Sequence, residues 1–99
     1  MGAIKLNYYS ADEIRFAELG RAIGAPARIV ILRYLHENDR VTGHELKKIL
    51  KLKKPTIQQH IETLVQSGLI CGSYDSDNIF GWSLNSENTN ELEHLNWMF

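Results

Sequence analysis

Several residue types are scarce in this chain of 99 residues, and each scarcity excludes a class of protein. The single cysteine, Cys71, excludes an intrachain disulfide, a cysteine-rich zinc site and a CxxC redox pair. No run of about 18 apolar residues predicts a membrane-spanning helix, and the first residues lack the charged and then apolar pattern of a signal peptide. We therefore expect a cytoplasmic protein. We expect Cys71 to lie in the core at the start of a strand, with a redox-sensing thiol as the alternative.

Cations are missing from the second half of the chain. The net charge of −1 by itself argues against strong binding to nucleic acid. However, all 11 Lys and Arg residues fall within residues 1–54, which contain six acids and carry a net charge of +5. Residues 55–99 contain six acids and no cation, so they carry −6. Such an asymmetry indicates a candidate anion-binding surface within residues 1–54, whereas the acidic residues of 55–99 must face away from a bound anion.

Patterns typical of catalysis and of metal binding are also missing. The chain has no Gly-rich phosphate loop, no nucleophile beside a recognisable base and no paired carboxylates in a plausible cleft. Asp75, Ser76 and Asp77 superficially suggest a calcium loop, but the Gly and the distal Glu of such loops are absent, so a turn is the better interpretation. We expect neither an enzyme nor a bound cofactor.

Length and patterning predict one domain over residues 1–99, mainly α-helical with a small β-hairpin, which is an α+β fold. Capping boxes at Ser10/Glu13 and Thr42/Glu45 predict helices over about 10–23 and 43–50. Pro26 begins a central buried helix that ends near His36, although a strand is the competing interpretation of so β-branched a run. A very short strand at Val41, strands over 69–74 and 79–84 joined by the turn formers 75–78, and a last helix from Glu87 to about Met98 complete the prediction.

Residues 52–70, LKKPTIQQHIETLVQSGLI, predict the helix around which the chain is organised, over 53–67. Pro55 is tolerated in the first turn of a helix, and Gly68 supplies the permissive backbone needed just past its end. Ile57, Ile61, Leu64 and Val65 fall on one apolar stripe. The opposite face carries mostly uncharged amide and hydroxyl side chains, which suit the reading of base edges.

Five lysines crowd the start of this helix, and helix, short turn, helix is the arrangement in which the second helix enters the major groove of DNA. The alternative is that these lysines only form a charged surface exposed to solvent. We expect phosphates to be anchored by Lys47, Lys48, Lys51 and Lys53. We expect base edges to be contacted by Lys54, Thr56, Gln58 and Gln59. For His60, packing within the domain is at least as good an explanation as a DNA contact. The predicted DNA-contacting residues are Lys47, Lys48, Lys51, Lys53, Lys54, Thr56, Gln58, Gln59 and His60.

Apolar residues near both ends of the chain exceed what one small domain can cover, so they predict a homodimer. The dimer interface is expected to form from helices 10–23 and 87–98. The residues expected in it are Tyr8, Tyr9, Phe16, Leu92, Leu95, Trp97, Met98 and Phe99.

The segment from Glu18 to Asn85, about two thirds of the chain, resembles the ArsR/SmtB family of bacterial transcriptional repressors. LGRAIGAPARIVILRYL (residues 19–35) resembles the family's opening pattern, in which a Pro and an Arg lead into a helix rich in Ile and Leu. KKPTIQQHIETLVQSGLI (residues 53–70) resembles its Ser-Gln-x-x-x-Ser-x-His-Leu-x-x-Leu-x-x-x-Gly-Leu stretch, with His60 at the histidine. The resemblance implies a winged helix-turn-helix fold and a homodimer that binds an inverted-repeat operator as a repressor.

Two departures from the family pattern affect the prediction. Metal-sensing members carry a Cys-Val-Cys box where this chain has Thr42, Gly43 and His44, and a last-helix zinc site would have only Glu91 and His94 of the three or four ligands needed. We therefore expect no metal site; a small-molecule or metal effector stays undetermined.

The predicted wing hairpin carries Asp75 and Asp77 and no cation, whereas family wings usually carry Arg or Lys that contacts phosphate. The wing therefore stands away from DNA, or the chain is a winged-helix protein-interaction module. In that alternative, the acidic second half docks a basic partner without an operator.

Overall fold

The computed structural model describes residues 8–89 and shows a mainly helical chain with a small antiparallel sheet. In chain order the elements are α1 (Ala11–Ala22), α2 (Pro26–Glu37), β1 (Val41–Thr42), α3 (Gly43–Leu50), α4 (Lys54–Gln66), β2 (Ile70–Tyr74), β3 (Phe80–Leu84) and α5 (Ser86–Thr89). The predicted fold class is confirmed, and α2 is a helix rather than a strand. Within residues 8–89 no helix is long and apolar enough to cross a membrane. The predicted last helix beyond Thr89, with Glu91 and His94, lies outside the described residues.

Both capping boxes form as the sequence predicts. The Ser10 hydroxyl accepts from the Glu13 N–H at 3.1 Å, and the Glu13 carboxylate accepts from the Ser10 N–H at 2.8 Å. Thr42 and Glu45 repeat the pattern at the start of α3, at 3.2 and 3.1 Å. Each box satisfies backbone N–H groups that have no partner inside the helix, which fixes where α1 and α3 begin.

The sheet has the strand order β1-β3-β2, with every pair antiparallel. The very short strand expected at Val41 pairs with Trp82 of β3. In the hairpin turn, the Asp75 carboxylate accepts from the N–H groups of Asp77 and Ile79, both at 2.9 Å. Asp75 therefore builds the turn with its own carboxylate, as an Asx turn does.

The core lies where α1, α2, α3 and α4 meet the inner face of the sheet. Each of the four helices presents between one and three buried aliphatic side chains, which fall on one side of the helix. The buried apolar residues are Leu19, Ala22, Ile31, Leu32, Leu35, Val41, Leu46, Ile57, Ile61, Leu64, Leu69 and Ile70.

Two expectations about burial are wrong. The sequence predicts Val65 on the apolar stripe of α4, but Val65 is 42% exposed, because it lies roughly 80° around the helix from Ile57. Cys71 is expected in the core, but its side chain is exposed. Strand side chains alternate between faces, and because Ile70 takes the inner face, Cys71 points outward, where its Sγ lies 3.7 Å from the Ser83 hydroxyl.

Candidate nucleic-acid interface

The turn between α3 and α4 is three residues long and is built around Lys51. Lys51 ends α3 in the left-handed conformation (φ 55°, ψ 36°), and its N–H donates to the Lys47 carbonyl at 3.1 Å. Leu52 packs against the core, which ties the middle of the turn to the domain. Lys53 is then extended (φ −70°, ψ 149°) and leads into α4. The backbone therefore sets the two helices as a helix-turn-helix pair.

The five lysines of this region form one exposed cationic group, which we call the lysine cluster. Within residues 8–89, none of the five makes an ion pair or hydrogen bond through its side chain. Their charges are therefore not neutralised by the described part of the chain, and they remain available to an anionic partner. The members of the lysine cluster are Lys47, Lys48, Lys51, Lys53 and Lys54.

The start of α4 is suited to an anion. Its first turn has no acidic residue and no side-chain cap, and Pro55 stands at the position where a missing N–H costs nothing. The helix dipole places partial positive charge at this end. The N-terminus of α4 and the lysine cluster thus carry charge of the same sign.

The outer face of α4 presents hydrogen-bonding side chains without charge at its first turns. Thr56, Gln58 and Gln59 are all exposed. The Gln58 amide donates to Glu62 at 3.5 Å, a long and weak contact. The Gln59 side-chain amide has no hydrogen-bond partner within residues 8–89. Gln59 therefore offers both a donor and an acceptor to a base edge.

His60 differs from the other eight predicted contact residues, because it is half-buried and engaged with α2. Arg28 Nη1 lies 2.9 Å from His60 Nδ1. A guanidinium can only donate, so Nδ1 accepts and the proton of the neutral ring is on Nε2. Burial, and then the neighbouring Arg28 charge, lower the pKa of His60 below 6.5. The packing interpretation of His60 agrees with this contact.

Arg28 is a structural residue of the site to which sequence reasoning gave no role. Besides contacting His60, it donates to the Ala22 carbonyl at 2.7 Å and to the Arg21 carbonyl at 2.9 Å, at the C-terminal end of α1. One side chain therefore joins α1, α2 and α4. The available signal was its place two residues after Pro26, in the segment that resembles the family's opening pattern.

The other end of α4 is also fixed. Gly68 (φ 80°) ends the helix as predicted, with the N–H groups of Gly68 and Leu69 bonded back to Val65 and Leu64. Arg15 of α1 donates to the Ser67 carbonyl at 2.8 Å and pairs with Glu18 at 3.1 Å. Arg15 thus joins α1 to the C-terminal end of α4, while Arg28 links the C-terminal end of α1 to His60 in the middle of α4.

The wing differs in chemistry from the lysine cluster. Its turn carries Asp75 and Asp77. The cation that touches it, Arg40, is engaged with the wing itself, donating to the Ser73 hydroxyl and carbonyl at 2.8 Å and to the Ile79 carbonyl at 3.0 Å. The wing turn and the lysine cluster thus differ in the sign of the charges they expose.

The predicted interface residues that the structure describes are exposed. Tyr8, Tyr9 and Phe16 have 71%, 52% and 69% of their surface accessible. The others, Leu92, Leu95, Trp97, Met98 and Phe99, lie outside the described residues. In the described part of the chain, no three His, Cys, Asp or Glu side chains lie together as a metal site would require, and Thr42 serves as a helix cap.

Known proteins resemble this chain in both sequence and fold. A family model described as a helix-turn-helix domain matches residues 23–70. The transcriptional repressor SmtB of Mycobacterium tuberculosis is 40% identical over 55 residues, which are 56% of this chain and 40% of SmtB, so the chain spans about two fifths of that relative's length.

Solved structures share the fold over most of the described elements. HlyU from Vibrio cholerae has a TM-score of 0.73 at 22% identity, covering 92% of this chain and 98% of that chain. An ArsR family transcriptional regulator has a TM-score of 0.69 at 22% identity, covering 84% of each chain. The shared fold identifies the chain as a winged helix-turn-helix protein, and the matched segment is similar in sequence to a helix-turn-helix domain and to the repressor SmtB.

Proposed function

We propose that the protein is a transcriptional regulator that binds a specific double-stranded DNA site through α3 and α4. The observation that carries this proposal is the lysine cluster, five exposed cations without a partner in the described chain, at the start of a helix with exposed amide and hydroxyl groups. The named relative is a transcriptional repressor rather than an enzyme, in agreement with the sequence analysis. The proposal includes a cytoplasmic location, where the DNA of a prokaryotic cell lies.

The two helices have separate roles in this proposal. The 13-residue α4 enters the major groove, while α3 crosses the sugar-phosphate backbone. Lys47, Lys48, Lys51 and Lys53 neutralise phosphates, which supplies affinity without sequence preference. Lys54, Thr56, Gln58 and Gln59 face base edges, and a bidentate pair between Gln59 and adenine is worth roughly 1 to 3 kcal/mol of discrimination.

The proposed regulator acts as a homodimer that represses by occupying an inverted-repeat operator. Three aromatic side chains at and before α1, Tyr8, Tyr9 and Phe16, are more than half exposed and suit burial against a second subunit. A symmetric pair would present α4 twice, to half-sites about 34 to 36 Å apart. The contribution of helix 87–98 to the interface belongs to this proposal.

The test selects bound DNA from a random pool with the purified protein and then measures retention of the selected duplex by two variants. Lys53→Glu with Lys54→Glu reverses two charges at the start of α4 and should abolish retention. The matched control, Lys53→Arg with Lys54→Arg, keeps both charges and should retain the duplex within a few-fold of the original. Thermal melting of each variant checks that the fold is preserved.

The two classes of function give opposite results in this experiment. Failure of the pool to converge, or equal retention by the Glu and Arg variants, would remove the operator-binding proposal. A protein-interaction module without an operator would give that second result, because its partner would bind the acidic half of the chain.

A further inference from the structure

The wing exposes an apolar surface that the proposed DNA contacts do not use. Tyr74, Ile79 and Phe80, which we call the wing patch, are 66%, 51% and 42% exposed. The aromatic rings of the wing form an ordered array, because Phe80 lies edge-on to Tyr74 at 5.0 Å and to Trp82 at 5.3 Å between centroids. Exposed aromatic side chains held in fixed positions are typical of contact surfaces.

Gly72 allows this array to form. A Cβ atom at Gly72 would lie 2.5 Å from the tip of the Phe80 ring, so the ring crosses the strand where no side chain stands. The pairs Tyr74–Phe80 and Gly72–Trp82 face each other across the hairpin. Tyr74 and Phe80 therefore lie on the same face of the sheet as the core, and Ile79 precedes Phe80 in the turn that leads into β3.

Two carboxylates, Asp75 and Asp77, border the wing patch against one guanidinium, that of Arg40, which donates to the Ile79 carbonyl at 3.0 Å, so the formal charge there is negative. Asp77 is exposed, and Asp75 uses one oxygen, Oδ1, for the turn. An apolar surface with an acidic rim repels phosphate and attracts Lys or Arg, which can also lie over the aromatic faces. The charge of the patch is therefore complementary to a basic protein segment and not to DNA.

The neighbouring edge of the sheet is open. The bonds from Asp75 N–H to the Ile79 carbonyl and from Asn85 N–H to the Leu69 carbonyl set which residues of β2 pair with β3. Residues 70, 72 and 74 therefore direct their backbone groups away from β3. Across residues 8–89 no strand pairs with this side of β2, and an extended peptide can add to such an edge.

We infer that the wing is a docking site for an extended segment of a partner protein in which Lys or Arg alternates with apolar residues. The segment pairs with the open edge of β2, its apolar side chains contact the wing patch, and its cations lie near Asp75 and Asp77. The lysine cluster of a second copy does not fit this description, because those lysines lie on helices and the turn between them. The inference does not depend on DNA binding by α4.

The probe for the test is a fluorescent seven-residue peptide that alternates Lys and Val, mixed with the full chain and followed by fluorescence anisotropy. Tyr74→Ser with Ile79→Ser should weaken its binding about tenfold or more, since contact with exposed aromatics dominates such interfaces. Asp77→Asn should weaken it a few-fold and make binding less sensitive to salt. Val30→Ser and Asp39→Asn are the matched controls, an exposed apolar side chain and an exposed acid elsewhere, and should change binding less than twofold.

In a nuclear magnetic resonance titration with the peptide, the largest chemical-shift changes should fall on the backbone amides of β2. Peptides with Glu in place of Lys, or Ser in place of Val, should bind far more weakly. Equal binding by wild type and the wing variants, or shifts centred outside β2 and β3, would overturn the inference. A dimer that Tyr74→Ser separates in sedimentation would assign the patch to a second copy and would also overturn it. Tighter DNA binding by Asp77→Asn would show that the wing lies against phosphate, which contradicts a free docking surface.

Discussion

Lys51 holds a backbone conformation that favours glycine, and it does so in the middle of the cationic surface. Its φ of 55° costs an L-residue about 1 kcal/mol relative to glycine. A glycine would close α3 with less strain but would remove a charge from the lysine cluster. The presence of Lys at this turn is consistent with stability being exchanged for an anion contact.

Replacing Lys51 by Gly should therefore move stability and DNA binding in opposite directions. We expect the free energy of unfolding to rise by up to about 1 kcal/mol, because the left-handed strain is removed. The salt dependence of DNA affinity should become shallower by about 2 in slope for a dimer, since each subunit loses one phosphate contact.

Lys51→Asn separates the two effects. Asn tolerates the left-handed region less well than Gly and is uncharged, so it should give the same change in salt slope with a smaller gain in stability. A Lys51→Gly variant that unfolds more easily than the original protein would contradict this account of the turn.

Among the elements, α4 is positioned by arginines from its neighbours. Arg28 of α2 holds His60 and the end of α1, and Arg15 of α1 holds the carbonyl end of α4. The Arg28–His60 contact requires a neutral imidazole, because a protonated Nδ1 can no longer accept and would place two cations together. The packing of α4 should therefore depend on pH.

The lowered pKa of His60 fixes the direction of this dependence. The folded state binds a proton at His60 less readily than the unfolded chain, so stability is complete above pH 6.5 and is lost as the pH falls through 6.5 toward the lowered value. Glu13 and Glu45, whose pKa values lie below 4.5 because of hydrogen bonds from Ser10 and from Tyr34 and Thr42 respectively, lose their contribution only in a more acidic range.

Denaturant unfolding at about pH 8 and about pH 5.5 measures the His60 contribution. We expect wild type to lose stability between these values. His60→Gln, which keeps an acceptor for Arg28 but does not titrate, should lose less. Equal losses in the two proteins would show that His60 is not responsible.

Elements could be predicted from local signals, whereas contacts between them could not. Ser10, Pro26, Thr42 and Gly68 mark helix ends through the chemistry of their own neighbourhoods, and the helices begin and end there to within a residue or two. Whether a residue at the edge of an apolar stripe or at the start of a strand is buried depends on which element packs against it. The burial expected of Val65 and Cys71 from the sequence is therefore wrong.

The contacts that orient the site join residues far apart in sequence. Arg28 and His60 are 32 residues apart, Arg40 and Ser73 33, and Arg15 and Ser67 52. No periodicity or local motif specifies such pairs. The lysine cluster could be predicted because its members are neighbours in the chain, while the arginines that position α4 became visible only in the folded domain.

At the scale of the whole molecule, charge is divided between two surfaces. Residues up to 54 carry every cation, and the wing that follows is acidic and aromatic. A net charge near zero thus conceals one surface suited to phosphate and another suited to a basic protein segment. If both proposals hold, DNA and partner protein bind at separate places on the same small domain.

The salt dependence of affinity for the selected duplex tests the central claim most directly. If two subunits each neutralise about four phosphates, log K should fall against log salt concentration with a slope of about −7. A slope close to zero would show that the lysine cluster does not contact a phosphate backbone, and it would contradict the proposed function.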